Sequence, residues 1–297
     1  MTTLPEPAPY TYRPLCIYHG NCADGFGAAW VVRKYFAGDV DFHPGVYGQQ
    51  PPDVAGRHVI IVDFSYKRPV LEEMAKHAKS ITVLDHHKTA QEDLAGYPEA
   101  VPWMIPAQDT QVLFDMNRSG AGLTWDFFFP NEPRPKLIDH IEDRDLWRFR
   151  LPMTREIQAN VFSFPYDFEV WDRLVADTES ITGRTVMAAQ GEALDRKMLK
   201  DIAEILGVAT RDMVIGGVKV PVVNLPYTMA SEAAGKLAED APFAAAYFDA
   251  KDGRKFSLRS RGEGGADVSA IAKLYGGGGH RNAAGFTMPI GWEGDAQ

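Results

Sequence analysis

The feature that most constrains the fold is a pattern in the first third of the chain. Three short apolar runs, Leu15 to Tyr18, His58 to Val62 and Ile81 to Leu84, are continuous rather than alternating. A strand buried on both faces reads this way. Helical patterns, Gly27 to Phe36 and Arg68 to Ala78, separate the runs. The alternation is that of βαβ units, which predicts an α/β fold with a parallel sheet. Each run also ends in polar residues: His19 to Asp24, then Asp63, then Asp85, His86 and His87. Ligands of open α/β sheets bind outside the carboxyl ends of the strands, so these clusters are expected to converge on one site.

Beyond Gly120 the pattern is mostly helical, with Pro130, Pro133 and Pro135 interrupting it before Lys136 to Ile141. Thr185 to Leu206 carries Val186, Leu194, Met198, Ile202, Ile205 and Leu206 at amphipathic spacing, predicting a helix that ends at Gly207. The domain boundary is placed there. Strand-like runs follow at Val218 to Asn224, Phe243 to Asp249 and Lys255 to Leu258. A helix over Val268 to Leu274, a glycine run and a closing strand around Phe286 complete the pattern.

At 297 residues and 45% hydrophobic content the chain can bury a full core, in one large or two moderate domains, and two are expected. Its net charge of −9 argues against coating long duplex nucleic acid, because lysine and arginine supply most of that binding. Any nucleic-acid substrate is therefore expected to be short or locally held. The two cysteines, Cys16 and Cys22, make no disulfide framework, so a reducing compartment, the cytoplasm, is expected. Met1 to Pro14 contains one basic residue, Arg13, and no apolar core segment, and reads as a Pro-rich flexible tail rather than a signal peptide. No run approaches the roughly 18 apolar residues of a membrane span, so no membrane partner is expected.

Two motifs carry chemistry. In Asp85-His86-His87, adjacent histidines on an extended chain point to different sides, so one can face a metal while the other faces substrate or core. Asp24 and Asp63 also terminate predicted strands, and carboxylates with one imidazole suit manganese or magnesium better than zinc. The second motif is Gly276-Gly277-Gly278-Gly279-His280, followed by Ala283-Ala284-Gly285. Consecutive glycines cost chain entropy and offer no side chain to pack, which points to close backbone approach to a ligand, although a flexible turn would read the same. Their amides would cradle phosphate oxygens, with His280 as a donor. Arg259 precedes this run on a strand, and its forked guanidinium suits a phosphate as well as solvent.

Leu84-Asp85-His86-His87-Lys88-Thr89-Ala90, and the stretch from Phe256-Ser257-Leu258-Arg259 through Asp267-Val268-Ser269 to Gly276-Gly277-Gly278-Gly279-His280, resemble the two signature blocks of DHH/DHHA1 phosphoesterases, among them the nano-RNA oligoribonucleases. The resemblance covers roughly Leu15 to Met288. It implies an α/β fold with an N-terminal parallel-sheet DHH catalytic domain and a smaller C-terminal mixed-sheet DHHA1-like domain that binds substrate. The implied division is a tail over 1–14, the catalytic domain over 15–185, a linker helix over 186–209 and the substrate domain over 210–297. The resemblance further implies manganese, one ion or two, with magnesium as the substitute. By position Asp24, Asp63 and His86 match metal ligands, Asp63 the one that bridges two ions. His87 matches the histidine near substrate phosphate, and Asp85 then orients an imidazole. The last metal aspartate is Asp143 or Asp145. Members carry an aromatic residue four positions beyond it, and Phe149 favours Asp145.

One departure stands out. The family's first motif has aspartates two apart, and here Cys22-Ala23-Asp24 puts cysteine first. Thiolate matches manganese poorly, and His19 is the candidate to compensate. The implied activity is hydrolysis of short oligonucleotides or small nucleotide phosphate esters by a metal-activated water, with His87, Arg259, Gly277, Gly278, Gly279 and His280 on the phosphates. Three rivals stay open: a cyclic (di)nucleotide phosphodiesterase, an inorganic pyrophosphatase, and a nucleotide-binding protein weakened catalytically at Cys22.

Overall fold

The computed structural model describes residues 13–296 apart from 103, 106, 107 and 263. Most of the tail expected over residues 1–14 lies outside the described residues. The chain divides into two compact units between Glu192 and Ala193.

The first unit contains β1 (Leu15–His19), α1 (Ala23–Tyr35), β2 (Asp41–Gly45), β3 (His58–Val62), α2 (Arg68–Ala75), β4 (Ser80–Asp85), α3 (Lys88–Asp93), β5 (Thr110–Phe114), α4 (Gly120–Phe128), α5 (Lys136–Asp145), α6 (Thr154–Val161) and α7 (Phe168–Glu179). Its sheet has five strands in the order β2-β1-β3-β4-β5, every neighbour parallel. The continuous apolar runs now have a physical reason. Val59 and Ile61 join one buried cluster with Leu71 and Met74 of α2, whereas Ile60 and Val62 join another with Ala28, Val31 and Leu123 of α1 and α4. Alternate side chains enter opposite cores, so no position from Val59 to Val62 is polar. Cys16 is fully buried in the second of these clusters.

The two strands without an apolar run are β2 and β5. β2 is an edge strand and holds Pro44, which is tolerated there because its missing N–H faces away from the sheet. β5 closes the other edge and is only half-buried, as its Gln111 shows.

The helix α8 (Ile181–Ala209) crosses the division between the units. It does not stop at the expected Gly207. A side chain there would meet nothing within 4 Å, so that glycine lies on an open helix face and terminates nothing. The second unit continues with β6 (Arg211–Ile215), β7 (Val218–Asn224), α9 (Ala230–Leu237), β8 (Ala244–Ala250), β9 (Gly253–Arg259), α10 (Val268–Leu274), β10 (Gly278–His280) and β11 (Ala283–Met288). Its six-stranded sheet is mixed, in the order β10-β11-β9-β8-β7-β6. Only β7 and β8 are parallel, and α9 lies between them in the chain as the crossover. The expected α/β class, a parallel-sheet unit followed by a shorter mixed-sheet unit, is the observed one. Among the described residues no helix is long and apolar enough to cross a membrane.

Candidate metal centre

The carboxyl ends of β1, β3 and β4 bring their polar residues together. Asp63 follows β3 with φ of +53°, a left-handed conformation that a non-glycine residue adopts only when its surroundings hold it there. Its N–H donates to Leu84 O at 2.9 Å, and a side chain on Gly120 would meet its Cβ at 2.3 Å. Gly120 is therefore required to be glycine by the position of Asp63. Asp24, in the first turn of α1, is held by another helix: the Gly120 and Ala121 N–H groups donate to its two oxygens at 2.6 and 2.9 Å. These amides are at the start of α4, where unpaired N–H groups and the helix dipole favour negative charge.

His86 Nε2 lies 3.0 Å from Asp63 Oδ1, 3.5 Å from Asp24 Oδ2 and 3.7 Å from Asp145 Oδ2. Asp24, Asp63 and His86 are all buried, and one oxygen or nitrogen from each falls within 4.8 Å of the others. A second group of the same dimension joins His19, Asp63 and His87, so Asp63 is common to both. His19 Nδ1 is 3.4 Å from Asp63 Oδ2, a buried oxygen with no hydrogen bond. Asp85, wholly buried, takes a short bond from His87 Nδ1 at 2.7 Å, along with Ser65 Oγ at 2.7 Å and the His86 N–H at 2.8 Å. The imidazole it orients is thus that of His87, held through Nδ1.

The electrostatics of this cluster are opposed. Burial pushes the Asp24 carboxyl well above its ordinary range, with like charge from Asp63 and Asp145 adding to it. Asp145 is raised for the same first reason. At Asp63 the burial penalty is outweighed by His19 and His86, which hold the carboxyl far below its usual value. Asp85 is lowered to about 2, since the charge and hydrogen bond of His87 exceed the effect of burial. Asp63, Asp24 and Asp145 crowd one imidazole, and the buried oxygen of Asp63 lacks a hydrogen bond. A divalent cation would compensate that charge, and oxygen donors with imidazole suit manganese or magnesium.

Asp143 and Asp145 are separated by their partners. Asp143 accepts from the Arg150 and Leu151 N–H groups at 2.8 and 3.0 Å and from Thr154 Oγ1 at 2.7 Å, so its carboxylate ties down the loop after α5. Asp145 faces His86 instead. Cys22 caps the N-terminus of α1 without a side-chain hydrogen bond to the helix, and its thiol is within hydrogen-bonding reach of His19. Burial pushes that thiol's pKa up, which disfavours the thiolate a metal needs.

The glycine segment of the second unit, expected to bring backbone close to a ligand or else to form a flexible turn, is a strand with packing value of its own. Gly278, Gly279 and His280 pair with Gly285, Ala284 and Ala283 as the edge of the sheet. A side chain on Gly277 would strike Gly285 O at 2.1 Å, and one on Gly279 would strike Ala283 O at 2.6 Å. The close approach is to the chain's own backbone. Gly276, at φ +76°, ends α10, and the Gly277 N–H returns to Ala272 O. Arg259 is engaged within its unit as well, donating to Ser231 Oγ at 2.6 Å and to Leu258 O at 2.8 Å.

No protein-family model matches the chain. A curated relative, the uncharacterized protein R106 of Acanthamoeba polyphaga mimivirus, is 31% identical over 92% of this chain, and the chain spans 66% of that relative's length. Among solved structures, the DHH domain of a protein described as a member of the s1p family of ribosomal proteins superposes with a TM-score of 0.57 at 13% identity, over 93% of this chain and 83% of that one. This is the DHH fold. A pGpG-specific phosphodiesterase of Vibrio cholerae, PggH, is similar over 93% of this chain and 94% of its own, with a TM-score of 0.47 and 13% identity.

Within this DHH fold, several contributors were not visible to motif reading. The α4 amides act through their backbone, and only Ser119-Gly120-Ala121-Gly122, a capping serine before small residues, hints at an exposed helix start. Ser65 is one hydroxyl among many in the chain. Trp147-Arg148-Phe149-Arg150, an interleaving of aromatic and basic residues directly after Asp145, is a signal that could have been read.

Proposed function

We propose that the chain is a metal-dependent phosphodiesterase of the DHH/DHHA1 type that hydrolyses short oligonucleotides or small nucleotide phosphate esters. The observation that carries this reading is the sharing of Asp63 between the Asp24–Asp63–His86 and His19–Asp63–His87 groups. A shared carboxylate between two such groups suits one ion or a pair, manganese by preference. Asp24, Asp63, His86 and Asp145 would hold one ion, and His19 with Asp63 a second. A bound ion of this kind supplies charge stabilisation to a phosphate oxygen and lowers the pKa of a water.

The chain's own residues do the rest. The α4 amides keep Asp24 aimed at the cluster, and Asp85 fixes the ring of His87 through Nδ1. His87, so oriented, would contact a phosphate oxygen of the substrate. Asp143 holds the loop rather than an ion. In the second unit Arg259, Gly277, Gly278, Gly279 and His280 are proposed to bind the substrate, with residues 186–209 as the linker helix between catalytic and substrate domains. Free Cys16 and Cys22 accord with a reducing, cytoplasmic setting.

The test is turnover of pApA, pAp, a cyclic dinucleotide, a 2′,3′-cyclic nucleotide and pyrophosphate, each with manganese and with chelator. Manganese-dependent hydrolysis of pApA is expected to exceed that of the others. Hydrolysis of pyrophosphate alone, or no turnover with any of them, would overturn the reading.

A further inference from the structure

Apart from Asp145 and its anchorage on Asp143, the stretch from Arg144 to Arg155, which joins α5 to α6, has no part in the metal centre. It holds Arg144, Arg148, Arg150 and Arg155 against a single acid, Asp145, in a chain whose net charge is −9. Its Trp147 is 45% exposed and its Phe149 partly so, and the nearby Phe162, which follows α6, is 43% exposed. The side chains are ordered in alternation. The Arg155 guanidinium lies 4.3 Å over the Phe149 ring and 5.9 Å from the Trp147 ring, while Arg144 lies 5.8 Å from Trp147 and 4.4 Å over Phe162. Trp147 and Phe149 meet edge to face at 5.1 Å.

The backbone beneath is strained. Trp147, Phe149 and Met153 have φ of +54°, +46° and +65°, conformations that bulky residues adopt only under constraint. Asp143 supplies that constraint through Arg150, Leu151 and Thr154, and its carbonyl takes the Arg148 and Phe149 N–H groups. Strain of this kind does not serve burial at Trp147, since that ring remains nearly half in solvent. Aromatic and guanidinium planes alternating in solvent are a surface on which a nucleobase stacks irrespective of its sequence. Trp147 follows Asp145 by two residues, which ties the surface to the metal centre in the same unit.

We propose that Trp147, Phe149 and Phe162, interleaved with Arg144 and Arg155, form a platform that stacks a nucleobase of the substrate. This rests on the phosphodiesterase reading for its place in turnover, but not for binding itself. The experiment is a Trp fluorescence titration of the full chain with AMP and, as the base-free probe, ribose 5-phosphate. AMP is expected to quench and ribose 5-phosphate not. Phe162→Ala is expected to weaken AMP binding roughly 5- to 150-fold, the range of ~1–3 kcal/mol for one stacked base. In turnover of pApA, Trp147→Ala is expected to raise KM over the same range with little change in kcat, and Trp147→Phe to restore it. Circular dichroism checks that each variant folds. Equal quenching by both probes, or a KM unchanged in Trp147→Ala and Phe162→Ala alike, would overturn the platform. A wild-type chain that binds AMP in this way yet turns over no phosphodiester would instead sink the phosphodiesterase reading and leave the platform standing.

Discussion

The carboxyl ends of the N-terminal strands and the glycine segment of the C-terminal sheet were both marked by sequence as places where a ligand comes close, and they turn out differently. At the strand ends, Asp24, Asp63, Asp145 and His86 are gathered with like charges facing one another and a buried oxygen left without a hydrogen bond. At the glycine segment the backbone is paired with β11, and the space that absent side chains leave is filled by Gly285, Phe286 and Ala283. Carboxylates buried against one another favour a partner of opposite charge from outside, because a buried ion otherwise costs several kcal/mol. Close backbone packing accounts for the missing side chains there and leaves the proposed contact with substrate to the amides and His280.

The sharpest way to break this comparison is Asp63→Ala. It removes the carboxylate common to both groups, so manganese-dependent turnover is expected to fall by more than about 100-fold while circular dichroism keeps the wild-type spectrum. Activity above about a tenth of wild type would show that the strand ends need no shared ligand. Arg259→Ala probes the other region from the side of function. A lost charge-assisted hydrogen bond is worth about 1.5–3 kcal/mol, which would appear as a KM for pApA raised roughly 10- to 150-fold, with manganese affinity unchanged. An unchanged KM would leave the second unit without its proposed anchor.

Gly277→Ala asks whether the glycine segment serves packing. Its added methyl group would overlap Gly285 O, so a loss of about 1–3 kcal/mol in urea unfolding is expected, most of it absent in Ala substitution at the open Gly207. If both variants were equally stable, the close approach would have to be explained by a ligand after all. The smallest effect concerns Asp143. Its carboxyl is lowered: burial opposes this, but the Arg150 amide, the Thr154 hydroxyl and the Leu151 amide prevail. A lowered folded-state value stabilises above the ordinary 3.8 and loses that contribution as the pH falls through the folded value. Asp143→Asn is therefore expected to lose about 1 kcal/mol near neutrality and to show a flatter decline in acid, measured by thermal unfolding between pH 7 and 2. An acid profile identical to wild type would remove Asp143 from its role under the Arg144–Arg155 loop.

The parallel core and the chain positions of its polar ends are legible in the residues alone. Continuous runs such as His58–Val62 are legible because both faces of such a strand are buried, whereas β2 and β5, at the edges, carry no such compulsion and were invisible. Residue type and strand position together singled out Asp24, Asp63, His86 and His87. Which groups face one another depends instead on long-range packing. The α4 amides that grip Asp24 lie 96 residues further along the chain, and Asp143 and Asp145, two residues apart, face a loop and an imidazole respectively. The glycine run shows the same limit. A missing side chain says that something comes close, but whether it is a ligand or the next strand depends on register, and register is set by the whole sheet rather than by the glycines.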